Sequence, residues 1–225
     1  MVRRTVRMAA GAVLVLGGLV GCGASEGDGG EDPKAGSTAA AGTSAGASPA
    51  ASQGVSAAGA AKPAGSLGAA GSACPLPVSF DLAADWKPKA VTSQDDEQFG
   101  ALFKQGGTTL QCEIDAKPAG NIGFLRVWTA DLLAIDARAV LEAFVAGEKT
   151  TGTPTYTPVR AGALPAVEAA YETRSLDDRK QEHAFAVVTP GGKAVVLQLS
   201  GLDTQEHDAM LPVYRLVQQS LKPQS

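Results

Sequence analysis

Histidine, cysteine and aromatic residues are scarce in this chain: among 225 residues there are two His and three Cys, and Phe, Trp and Tyr together make up 5%. Neither His183 nor His207 has a second ligand at i+4 or a spare Cys pair to join it, so no structural or catalytic metal site assembles and no cofactor is expected. Basic residues are in the minority. The net charge is −4, and it becomes more negative if Arg3, Arg4 and Arg7 are removed with a leader. An acidic chain without a Lys/Arg stripe is a poor polyanion ligand, which excludes nucleic acid as a partner. The one long apolar run, Met8 to Val20, is too short to span a bilayer as a mature helix.

What is present divides sharply by composition. The arginines and the apolar run form the n- and h-regions of a secretory signal, ending in Leu19-Val20-Gly21-Cys22. That tetrapeptide resembles the bacterial lipobox. The resemblance implies a lipoprotein signal peptide over 1–21 and a diacylglycerol thioether, with palmitate, on Cys22. The protein would then be secreted and held at the extracytoplasmic face of the cell membrane. Arg3-Arg4 leaves both the general and the twin-arginine export routes open. Residues 22–73 are nearly all Ala, Gly, Ser, Thr and Pro, with acids only at Glu26, Asp28, Glu31 and Asp32. Such a segment cannot bury enough surface to offset its conformational entropy and is expected to be a disordered linker. Its root-mean-square reach is about 40 Å and its full extension about 170 Å, enough to lift a domain off a membrane. The Ala/Gly bias points to a high-GC Gram-positive source, and the Ser and Thr residues could accept O-linked sugars.

Residues 74–225 carry the foldable composition. Val78 to Leu82 alternates as a half-buried strand should, and Asp95 to Lys104 predicts a short helix whose first turn holds Asp95, Asp96 and Glu97. Thr108 to Asp115 and Asn121 to Thr129 form a hairpin across Lys117-Pro118-Ala119-Gly120. Asp136 to Glu148 is a helix with Val140, Leu141 and Phe144 on one face. A three-strand meander follows at Val167–Arg174, His183–Thr189 and Ala194–Ser200, turning at Asp177-Asp178-Arg179-Lys180 and Pro190-Gly191-Gly192. The last segment, Gln205 to Leu221, places Met210, Tyr214, Val217 and Leu221 at helical spacing, with Pro212 expected near a kink or second start. Hairpin links with no crossovers argue an α+β fold on an antiparallel sheet.

This order of elements resembles the PsbP-like fold, the group that includes actinobacterial LpqN-type lipoproteins. The residues that carry it are Ala137 to Gly147, Gly162-Ala163-Leu164-Pro165-Ala166, Tyr171-Glu172, Phe185 to Val188, Val195 to Leu197 and Met210 to Tyr214. The resemblance implies an αβα sandwich around a central antiparallel sheet, in a family of mostly accessory or protein-binding subunits. It brings no catalytic motif.

Cys74 and Cys112 are suited to an extracytoplasmic disulfide closing a loop of about 39 residues, worth about 4 kcal/mol in the chain-entropy model; the alternative is a free thiol. Gly42-Thr43-Ser44-Ala45-Gly46 matches a nucleophile-elbow pattern, but it falls in low-complexity sequence with no strand-turn-helix to strain it. Asp177-Asp178 reads as a solvated turn, and paired carboxylates in one turn cannot face each other across a sugar. His183 is placed on a strand and His207 in solvent near the start of the last helix. Phe124, Arg126 and Trp128 share one face of a strand. They either pack under a helix or form a ligand groove with an aromatic wall and a cationic donor. Trp86 either anchors a loop to the core or stands exposed. These residues describe a non-enzymatic binding or accessory domain for an envelope protein or a small ligand. The rival is an envelope hydrolase with a dispersed site, favoured by a pocket that joins Arg126 to a sheltered carboxylate.

Overall fold

The computed structural model describes residues 60–93, 99–131, 136–175 and 178–224. Cys22 and the leader, most of the linker, the acidic run Asp95-Asp96-Glu97 and Asp177 lie outside the described residues. Alternating apolar and polar side chains build most of the strands. After β1 (Pro63–Leu67) come β2 (Val78–Ala83) and β3 (Lys87–Ala90), then a 3-10 turn over Gly100–Phe103 and the short β4 (Lys104–Gln105). The hairpin β5 (Thr108–Asp115) and β6 (Gly123–Asp131) precedes α1 (Ala137–Ala146). Strands β7 (Thr155–Ala161), β8 (Leu164–Ser175), β9 (Asp178–Val188) and β10 (Lys193–Gly201) lead to α2 (Thr204–Ser220) and β11 (Lys222–Pro223).

The main sheet is antiparallel throughout, in the order β3-β5-β6-β10-β9-β8-β7, with β4 paired to β5. One face carries Leu125, Val127, Phe185, Leu197 and Leu199, which pack against Met210, Tyr214 and Val217 of α2 and Phe80 of β2. The other carries Trp128, Ala169, Tyr171, Ala186 and Val196, which meet Val140, Leu141 and Phe144 of α1. Period-two alternation therefore feeds two separate cores from the same strands. The result is the expected αβα, α+β architecture, with a small second sheet β1-β2-β11 added on the α2 side. Edge strand β3 reads Lys87-Pro88-Lys89, and edge strand β7 holds Pro158, residues that discourage further pairing.

The folded part begins before Cys74. Composition places 60–73 in the linker, yet β1 lies there, paired antiparallel to β2 from Pro63↔Ala83 to Leu67↔Phe80, with Leu67 buried. Its stabilisation comes from backbone hydrogen bonds supplied by β2, which small residues neither help nor hinder. Of the helix expected from Asp95 to Lys104, the described part is the 3-10 turn followed by β4. Asp136 caps α1 by accepting from the Ala139 N–H at 2.8 Å, and Asp203 caps α2 by accepting from the Glu206 N–H at 2.8 Å. Helix α2 runs through Pro212 without a break, so the Asp208 carbonyl loses its intrahelical donor. The β7–β8 turn docks on the end of α2 through Gly162, whose N–H donates to the Gln218 carbonyl at 2.8 Å. Gly162 has φ +53°, and a Cβ there would sit 1.9 Å from the Leu221 carbonyl oxygen, so only glycine fits.

Cys74 and Cys112 form a disulfide with a Cα–Cα distance of 6.0 Å, both fully buried. It ties the residues ahead of β2 to β5 at the heart of the larger core. Trp86 belongs to that core, which resolves its two readings in favour of packing.

Candidate functional site

Helix α1 has ten residues and so covers only about 15 Å of sheet. It shields the row Trp128–Val196–Ala186, where the Trp128 ring meets Phe144 edge-on at 5.4 Å. The next rows along the same face, Glu113–Arg126–Gln198 and Phe124–Ser200–Glu182, carry polar side chains at every position but Phe124. A register shift in β5 between Leu110 and Cys112 keeps Glu113 on this face although Leu110 precedes it by three residues. Together these rows, the end of α1 and the 3-10 turn line a cleft of about 560 Å³.

Two ion pairs and an amide bridge organise the cleft. The Arg126 Nε donates to Glu113 Oε1 at 2.8 Å, and its guanidinium lies 5.0 Å from the Phe124 ring centroid. The Lys180 ammonium donates to Glu182 Oε1 at 2.8 Å, to Ser200 Oγ at 3.1 Å and to the Gly201 carbonyl at 2.9 Å. Ser200 Oγ in turn donates to Glu182 Oε1 at 3.0 Å. Between the pairs, Gln198 Nε2 donates to Glu148 Oε1 at 2.8 Å and to the Tyr171 hydroxyl at 3.2 Å. Gln105 Nε2 donates to the same Glu148 oxygen at 2.8 Å.

Glu182 is only 3% exposed, and burial raises its carboxyl above the usual range against the opposing hydrogen bond from Lys180. Removing Lys180 from such a sheltered pair would cost on the order of 3–5 kcal/mol, because the carboxylate would remain without its counter-charge. Glu182 Oε2 and Trp128 Nε1 are buried without any hydrogen-bond partner. Unmet groups of this kind cost about 1–3 kcal/mol each.

A different arrangement occupies the opposite face. His183 of β9 and His207 of α2 are hydrogen-bonded, Nδ1 to Nε2, at 2.7 Å, with rings stacked 5.0 Å apart. His207 is fully buried, which corrects its assignment to solvent. Its place was legible: His207, Met210, Tyr214 and Val217 fall on one helical stripe. Gly201 admits this approach, since a Cβ there would sit 2.6 Å from the His207 backbone nitrogen. No group of three or more His, Cys, Asp or Glu able to hold a metal ion occurs among the described residues.

Of the three residues assigned to a groove, Arg126 and Trp128 line the cleft, whereas Phe124 supports Arg126 from beside it. The chain matches, over residues 43–221, the model of a family described as uncharacterised lipoprotein. It belongs to that family. No curated protein matches it significantly. The lipoprotein is also similar to the solution structure of cyanobacterial PsbP (CyanoP) from Synechocystis sp. PCC 6803. The identity is 12%, with a TM-score of 0.47, over 66% of this chain and 87% of that one. The layered architecture rests on the strand pairing given above and not on this likeness. Among the described residues no helix of the lipoprotein is long and apolar enough to cross a membrane.

Glu182, Lys180 and Gln198 were not singled out from the sequence. Alternation alone puts Glu182 on the face of Ala184 and Ala186, but it does not reveal that α1 stops short of it.

Proposed function

We propose that this lipoprotein is a lipid-anchored, extracytoplasmic, non-catalytic binding domain whose cleft takes a small polar ligand of the envelope. The observation that supports it most is a set of three polar clusters, Arg126–Glu113, Gln198–Glu148–Tyr171 and Lys180–Glu182–Ser200, held in an open cleft that α1 leaves uncovered. Side chains fixed by one another present donors and acceptors at little further entropic cost on binding. The histidines, the residue type that most often moves protons in catalysis, lie on the other face and bond to each other. Native mass spectrometry of the lipoprotein purified from its own envelope tests this reading. A small molecule should accompany the wild type and be absent from Gln198→Leu. A wild type that carries nothing, and that no envelope small molecule raises in Tm, would sink it.

One observation favours the hydrolase reading: the cleft does join Arg126 to a sheltered carboxylate, Glu182, with a raised pKa. Against it, Glu182 Oε1 is engaged by Lys180 and Ser200, and Oε2 is buried. The same spectra separate the two, because a binding site returns its ligand intact and a hydrolase returns cleaved product.

Anchoring is carried by Cys22. Cys22→Ser should shift the protein from the membrane to the soluble fraction, since the acyl chains that hold it there can no longer be attached. Retention of the variant in membranes after a high-salt wash would count against the lipid anchor.

A further inference from the structure

Resting on the ligand-cleft reading above, we infer that the ligand is an uncharged, polyhydroxylated molecule, a saccharide unit, held between Arg126–Glu113 and Lys180–Glu182.

The charges decide against an ion. Four cations and three carboxylates line the cleft, and on its floor each cation is already matched to a carboxylate at 2.8 Å, Arg126 to Glu113 and Lys180 to Glu182. Glu148, between them, is engaged by the amides of Gln105 and Gln198. An anion entering the cleft meets three carboxylates. A cation meets Arg126 and Lys180. The two other cations, Lys149 and Arg174, are exposed, where water screens them; on the floor an anion finds no unpaired cation, and a cation finds only Glu148, already held by two amides. A neutral ligand leaves both pairs intact.

What the cleft does offer is hydrogen-bonding capacity in planar side chains. Arg126 uses only Nε on Glu113, so its two terminal nitrogens are left to donate, and Glu113 accepts through one oxygen only. Donor fork and acceptor lie side by side, and Phe124 beneath the guanidinium restrains the fork. That geometry suits neighbouring hydroxyls, each of which donates and accepts. At the far side, the Ser200 hydroxyl lines the same cleft. At the rim, Leu102 is 73% exposed and gives the C–H face of a sugar ring an apolar surface.

The two tryptophans provide the test. Trp128 lines the cleft, whereas Trp86 is buried in the opposite core, so its indole resonance is an internal control. The full-length chain, labelled with 15N-tryptophan and held in detergent, is titrated with maltose, cellobiose and N-acetylglucosamine, and separately with inorganic phosphate and with cadaverine. At least one saccharide should move the Trp128 indole signal saturably while Trp86 stays still. Arg126→Ala should weaken that binding roughly tenfold, as loss of a charged donor predicts, with an unmoved Trp86 signal showing the fold intact. Saturation by phosphate or cadaverine and by no saccharide would overturn the ligand class while the cleft reading survives. If no probe moves Trp128, the inference is overturned, and the cleft reading then depends on whether the purified lipoprotein carries a molecule of another class.

Discussion

Replacing both bridge cysteines, Cys74→Ala with Cys112→Ala, should lower the stability of the folded domain by about 4 kcal/mol, the loop-closure entropy that the bridge removes from the unfolded chain. For a domain of this size that corresponds to a fall in Tm of about 10 °C. The bridge spans a sequence separation of 38, and both sulfurs are buried in the core that α2, β2 and the main sheet share. Loss of the cross-link is therefore accompanied by two small packing defects and not by exposure of a surface. The bridge also holds the β1–β2 layer, whose own sheet is only three strands, onto the larger one. Loosening should begin there: in hydrogen exchange, amides of β1 and β2 should lose protection before those of β9 and β10. A fall in Tm below about 3 °C, with even protection throughout, would show that packing of the two layers suffices without the bridge.

How much of this was legible in the sequence depends on what each element uses to hold itself. The hairpin β5–β6, the meander β8–β9–β10 and both helices bury an apolar face, and their periodicity announces them. Strand β1, Pro-Ala-Gly-Ser-Leu, buries only Leu67. It is held by the backbone of β2, so composition reads it as linker. Strand β7 carries Pro158, which argues against a central strand, and it lies at the sheet edge where a missing N–H costs nothing. The face of β6 was legible, since Phe124, Arg126 and Trp128 do point one way, but whether a helix covers that face was not. The answer lies in where α1 ends relative to rows set by strands β9 and β10, a comparison of distant segments that no local pattern encodes. The same holds for the histidines. Their 2.7 Å contact joins a strand to a helix 24 residues on, and only the helical stripe of His207 hinted at it.

Acidification should destabilise this domain through that pair. Burial, then the neighbouring His183, then Lys180 oppose a proton on His207, whose pKa is lowered to about 3. Burial lowers His183 as well; Glu168 and Asp208 favour its charged form, and Arg215 opposes it. The hydrogen bond between the rings needs one nitrogen to accept, and a second proton would remove that lone pair. In the unfolded chain both rings titrate near the ordinary 6.5. Between that value and about 3 the unfolded state thus binds more protons than the folded one. Stability is therefore full above pH 6.5 and is lost as the pH falls toward the folded-state value, by about 2–3 kcal/mol at pH 4.5 from His207 alone. Tyr214, fully buried, packs beside the pair with its ring centroid 6.0 Å from that of His183. Urea unfolding of the wild type and of His207→Gln from pH 7.5 to 4.5 measures this directly. The variant, whatever its stability at neutral pH, should show the shallower decline because it no longer has a proton to take up. Parallel curves would mean that the ring accepts its proton in the folded state, and that α2 yields locally to let it.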